Sequence, residues 1–145
     1  MGLLFKYTLG NAWFIPLSEI SIYDDDRGTV KYWAEHDDDE TSFMNEKSVV
    51  LDDATITKIR EMIQGIKVDE IEKLEHVCVL DGNVHSFVYA GAEGEKELHG
   101  DNIIYCKEQP KLYPNTMVMI KLLNELKDIL APLGVDKKCF SLSRG

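Results

Sequence analysis

The stretch EISIYDDDRGTVKYWAE, residues 19–35, decides the class of fold. Ile20 and Ile22 alternate with Glu19, Ser21 and Tyr23, and Val30 and Tyr32 alternate with Lys31 and Trp33. Apolar side chains at a period of two put one face of each segment on a core and the other toward water, as in a half-buried antiparallel sheet. The connecting Asp24-Asp25-Asp26-Arg27-Gly28 is turn chemistry, so the two segments are expected to form a hairpin with a loop of about four or five residues.

Outward from that hairpin the same patterning recurs. Residues 3–9, LLFKYTL, read as an earlier strand that Gly10-Asn11 ends. Trp13, Phe14 and Ile15 begin another, which Pro16 stops or confines to an edge. Downstream, LEHVCVL (74–80), Asp81-Gly82-Asn83 and VHSFVYA (84–90) predict a second hairpin, because Asp-Gly supplies the positive φ angles of a tight turn. Centred on Gly82-Asn83, that hairpin would set His76 opposite Tyr89 and His85 opposite Leu80. A further strand is expected within 96–106, bulged or broken at Gly100-Asp101.

Two helices complete the pattern. Asp52 is an N-cap, with Leu51 and Ile56 placed to staple the first turn; Ile56, Ile59 and Ile63 then share a face, and Gly65 reads as the residue just past the end of a helix over 53–64. Residues 116–130 carry Met119, Leu122, Leu123, Leu126 and Leu130 on one stripe, with Pro132 beyond its end. Met117, Val118, Ile120 and Ile129 widen that stripe, which suits burial on two sides or a homodimer through residues 116–130. The expectation is therefore an α+β fold: an antiparallel sheet of about five to six strands with two helices packed on one face. With 145 residues, 44% of them hydrophobic, residues 1–145 can bury a core as a single domain.

Charge is the most unusual property. The formal net charge is −10, with 26 Asp+Glu against 16 Lys+Arg. Between residues 24 and 53 there are eleven carboxylates and three cations, Arg27, Lys31 and Lys47. Asp24, Asp25 and Asp26 fall in the hairpin loop; Asp37, Asp38, Asp39 and Glu40 fall in a polar, aperiodic stretch over 36–47 that reads as a loop. These seven carboxylates are the candidate binding residues. A domain that grips nucleic acid through phosphates needs a basic face, so nucleic acid is not an expected partner; a basic protein is. Such a field speeds association and rejects wrong partners more than it adds affinity.

Catalytic and metal signatures are weak. His36-Asp37-Asp38-Asp39-Glu40 has ligand-type side chains but breaks the calcium-loop pattern: counted from Asp37, Ser42 stands where Gly is needed and Ser48 where a bidentate Glu is needed. His36, His76, His85 and His99 have no zinc-protease spacing, and no phosphate-binding glycine loop or nucleophile elbow occurs, so no cofactor or metal is expected. His76 and His85 suit partial burial with a hydrogen bond better than catalysis. Cys78 and Cys106 lie in apolar runs and read as core, whereas Cys139, near the tail, reads as an exposed thiol. Three sparse cysteines, no basic leader and no long apolar run predict a cytoplasmic chain without a membrane segment. The functional expectation is a small, acidic, non-enzymatic binding module that recognises a basic protein, in the manner of inhibitors and immunity-type proteins. Two alternatives stay open: a small metal- or ligand-dependent enzyme with a dispersed site, and a structural subunit that dimerises through its C-terminal helix.

Overall fold

The alternation seen in the sequence resolves into six antiparallel strands: β1 (Gly2–Gly10), β2 (Pro16–Asp24), β3 (Gly28–Ala34), β4 (Lys47–Val50), β5 (Val84–Gly91) and β6 (Gly94–Asp101). The structure, a computed structural model, describes residues 2–11, 13, 15–24, 27–35, 45–66, 71, 73–75, 82–91 and 94–142. The strand order is β4-β3-β2-β1-β5-β6. Phe5, Tyr7 and Leu9 of β1 share one face with Ile20 and Ile22, Val30 and Tyr32, Phe87 and Tyr89, and Leu98. All of these are buried, and they build the core together with Ile56, Ile59 and Ile63 of α1 (Asp53–Gly65) and the stripe of α2 (Pro114–Leu130). The fold is thus α+β, with both helices contributing to the core on one face of the sheet. Gly28 sets how closely α1 approaches. A Cβ there would stand 2.6 Å from two side-chain carbons of Ile56, so the absence of a side chain lets the helix lie against the start of β3.

The helix ends are satisfied by different routes. The Asp52 carboxylate accepts from the Thr55 N–H at 2.7 Å, as the sequence predicts. The N-terminus of α2, with Pro114 in its first turn, receives no cap from its own flank. Glu75, some forty residues away in sequence, supplies one: its carboxylate accepts from the backbone N–H groups of Thr116 at 2.9 Å and Asn115 at 3.3 Å.

Several expectations change. β5 pairs with β1 on one edge and β6 on the other, so both its edges are taken. The hairpin expected around Asp81-Gly82 is therefore not made: Tyr89 faces Phe5 and Lys96, and His85 faces Leu9 and Gly100. Residues 76–81, with His76 and Cys78, lie outside the described residues. Pro16 begins β2 instead of ending a strand at 13–15, a position where its missing N–H is tolerated. β4 has only four residues and follows the acidic stretch too closely to show a period of its own. Gly65 is the last helical residue, with Ile66 extended after it. Gly100 continues the β5–β6 register without a bulge. Cys139 is fully buried, its thiol directed at the carbonyls of Trp33 (3.5 Å) and Glu19 (3.9 Å).

One buried chain of hydrogen bonds joins four distant segments. Tyr7 donates its hydroxyl proton to the Ser141 carbonyl at 3.0 Å, and the same hydroxyl stands 2.8 Å from His85 Nδ1. The Ile103 N–H donates to His85 Nε2 at 3.4 Å. With the Tyr7 proton committed to Ser141 and Nε2 accepting, His85 must be neutral and carry its proton on Nδ1, donating to Tyr7. The network runs from the backbone after β6, through β5 and β1, to the C-terminal segment. A second hydroxyl, that of Tyr32, holds the same segment by donating to the Gly134 carbonyl at 3.0 Å. Burial pushes the His85 pKa down to about 3 and the Tyr7 hydroxyl well above its usual range.

Two outcomes follow from the packing. Leu126 is fully buried, so Leu126→Ala should cost about 2–5 kcal/mol in chemical denaturation; a loss below about 0.5 kcal/mol would show that α2 is not core. The unfolded chain protonates His85 near the ordinary imidazole value of 6.5 and the folded chain near 3. The unfolded state therefore binds more protons between those values, and the stability present above about pH 6.5 declines as pH falls through the window, by up to about 1.4 kcal/mol per pH unit. Urea denaturation at pH 7 and pH 5, where carboxylates remain ionised, should show this loss in the wild type and a smaller one in His85→Asn. Equal losses would contradict the neutral, buried imidazole.

Candidate functional site

The turn between β1 and β2 is built by one side chain. The Asn11 carboxamide oxygen accepts from the backbone N–H of Trp13 at 2.8 Å and of Ile15 at 3.1 Å, while the Asn11 N–H donates to the Ile15 carbonyl at 3.0 Å. An asparagine that bonds its own following backbone fixes a turn that would otherwise sample many conformations. What it fixes here is an apolar display: Trp13 is 81% exposed and Ile15 57% exposed. An exposed, pre-ordered tryptophan is unusual on a soluble surface and typical of the anchors that carry binding energy.

Beside this turn runs the uncovered face of the sheet. A shallow cleft of about 430 Å³ there is lined by Lys6, Thr8, Pro16, Ser86, Glu97 and His99, among others. Lys6 pairs with Glu19 at 3.4 Å, and Thr8 donates to the same carboxylate at 3.3 Å. Ser86 donates to Glu97 Oε1 at 3.2 Å, and His99 Nε2 stands 3.3 Å from that same oxygen. Serine, histidine and glutamate are the components of a nucleophilic triad, but the order is wrong for one. The carboxylate lies between the hydroxyl and the imidazole, so His99 does not take the Ser86 proton and the three do not form that triad. On the covered side, both ring nitrogens of His85 are engaged and the residue is 2% exposed. No group of three or more His, Cys, Asp or Glu among the described residues could hold a metal ion.

The seven carboxylates singled out in the sequence do not form one described cluster. Asp24 closes β2 and is engaged by α1: Arg60 Nε donates to one carboxylate oxygen at 2.8 Å and Arg60 Nη2 to the other. That guanidinium holds Asp24 below the usual carboxylate range, and the pair ties the hairpin to the helix. Asp25, Asp26, Asp37, Asp38, Asp39 and Glu40 lie outside the described residues. The residues that flank 36–44 are informative. Glu35 follows Ala34 and donates its N–H to the Leu17 carbonyl at 2.8 Å, and Lys47 re-enters the sheet opposite Tyr32. Both flanks belong to the end of β3 away from Asp24, about 20 Å along a seven-residue strand. Leu17 is two residues from Ile15, so the acidic connection leaves the sheet beside the Trp13 turn. The described residues are themselves almost charge-balanced, so the −10 of the chain resides almost wholly in the remaining segments, those carrying Asp25–Asp26 and Asp37–Glu40 foremost.

The Trp13 display was not legible as a site in the sequence, where WFI reads as strand. The signal that could have found it is Asn11, two residues before Trp13, followed by Pro16. The wide stripe of α2 is spent mostly on its own core. Ile120 is buried, Met117 and Ile129 are half-buried, and Val118, at 38% exposed, remains beside a groove of about 620 Å³ between the two helices. No helix among the described residues is long and apolar enough to cross a membrane. No family model, no curated protein and no solved structure matches this chain, so its function has to be read from its own residues.

Proposed function

We propose that this chain is a non-enzymatic binding module of the cytoplasm that recognises a basic protein, with Trp13 and Ile15 as apolar anchors and the acidic connection over 35–46 as the steering field. The observation that carries the reading is the turn locked by Asn11, which holds a tryptophan 81% exposed beside the point where that connection leaves the sheet. A rigid aromatic loses little entropy on docking and fills a pocket, while carboxylates around it select for positive charge and raise the on-rate. The misordered Ser86, Glu97 and His99 and the fully engaged His85 favour this reading over an enzyme with a dispersed site.

The test is affinity capture from the native host at low and high salt, with mass spectrometry, followed by binding of the purified partner. The expected partner is basic and is lost at high salt. Trp13→Ala should weaken the complex by about 2 kcal/mol or more, roughly thirtyfold, with the fold intact. Replacing Asp37, Asp38 and Asp39 with Asn should slow association in stopped-flow measurements more than it speeds dissociation. A partner without basic excess, or wild-type affinity in Trp13→Ala, would overturn the proposal.

A further inference from the structure

β4 is the outer strand of the sheet, and among the described residues no strand pairs with its outer edge. The Leu51 N–H donates to the Gly28 carbonyl at 2.8 Å, which marks Gly28 and Leu51 as a hydrogen-bonded pair. In an antiparallel ladder such pairs alternate with non-bonded ones, so Val30–Val49 and Tyr32–Lys47 are bonded, whereas Ser48 and Val50 aim their N–H and C=O groups away from β3. Among the described residues no strand lies beyond them, and Ser48 and Val50 are exposed, Val50 at 61%. The opposite edge differs. β6 carries Glu95, Lys96 and Glu97, charged side chains that blunt an edge against pairing, whereas β4 has only Lys47.

Charge decides what this edge takes. The segment entering β4 carries Asp37, Asp38, Asp39, Glu40 and Glu46, and the segment leaving it carries Asp52 and Asp53. Two β4 strands paired antiparallel would bring Glu46 of one copy toward Asp52 and Asp53 of the other, on chains of −10 each, so a second copy is disfavoured. We infer that the outer edge of β4 is a docking strand, onto which an extended, Lys/Arg-bearing segment of the partner adds through backbone hydrogen bonds to Ser48 and Val50. This rests on the proposed binding function and specifies its mode: main-chain bonds supply affinity and the flanking carboxylates supply selectivity.

The experiment uses the full chain labelled with ¹⁵N and an acetylated peptide of alternating Lys and Val, about eight residues long to match a strand. Its controls are an alternating Glu and Val peptide and a Lys-Val peptide N-methylated at every residue, which leaves neither edge of the strand able to donate. Strand addition predicts that the Lys-Val peptide slows hydrogen exchange at the Ser48 and Val50 amides, and that N-methylation weakens binding about tenfold or more. The acidic peptide should not bind. Ser48→Pro removes an outward N–H without touching the ladder to β3, and should weaken binding to a similar extent. Val50→Pro, with the same logic one pair along, covers the case in which Ser48→Pro does not fold. Equal binding by the N-methylated peptide, protection elsewhere than β4, or no binding of the Lys-Val peptide would overturn the edge-docking inference. None of these outcomes decides the parent reading, which stands or falls on Trp13→Ala and the captured partner.

Discussion

A single proton position organises the covered side of this protein. The Tyr7 hydroxyl gives its proton to the Ser141 carbonyl, and the Ile103 N–H gives its own to His85 Nε2, so the remaining imidazole proton must sit on Nδ1 between the two rings. β1, β5, the 3-10 turn at Ile103–Glu108 and the C-terminal segment are thereby held in one alignment. Phe87 stacks on Tyr7 at 4.9 Å between ring centroids and Phe5 meets Tyr89 edge-on at 5.2 Å, so the polar network is enclosed in aromatic packing. A buried network of this kind stabilises only when every member is satisfied, and here each donor has an acceptor. It also fixes the insertion of β5 beside β1, the step that leaves β4 and β6 as the two edges.

Much of this fold is written locally and can be read. The alternation in residues 19–35 gives the β2–β3 hairpin, the Asp52 cap and the Ile56, Ile59 and Ile63 face give α1, and the leucine stripe gives α2. The misreadings depend on contacts between segments distant in sequence. An Asp-Gly between two apolar runs is strong hairpin chemistry, but it does not say whether the edge it needs has been taken by a strand some eighty residues earlier, and β1 takes it. Cys139 reads as an exposed thiol because it lies near the tail, yet the C-terminal segment is drawn under the sheet by the Tyr7 and Tyr32 hydroxyls. Gly28 reads as a turn residue, and its closer constraint is the approach of Ile56.

The proposed site is legible in charge and not in shape. The density of carboxylates between residues 24 and 53 is plain in the sequence, but their grouping is not. Asp24 is committed to Arg60, and the flanks of 36–44 belong to the opposite end of β3. The apolar component was missed because WFI before a proline resembles the start of a strand. The Asn11 side chain instead accepts from the backbone N–H groups of Trp13 and Ile15, bonds that a strand would have made in its ladder. In the proposed function, carboxylates in the sequence between residues 24 and 53 and an exposed Trp13 divide the labour of association: the field acts at a distance and the anchor on contact.

That division can be measured on the isolated protein. The chain has two tryptophans, so in Trp33→Phe the emission comes from Trp13 alone. Collisional quenching by caesium and by iodide, each normalised to free N-acetyltryptophanamide, reports both the exposure of the indole and the sign of the potential around it. The account predicts that both ions reach Trp13, that caesium quenches more efficiently than iodide at low ionic strength, and that the difference closes as salt is added. Quenching by iodide equal to or greater than that by caesium at low salt would contradict an exposed tryptophan set in an acidic field.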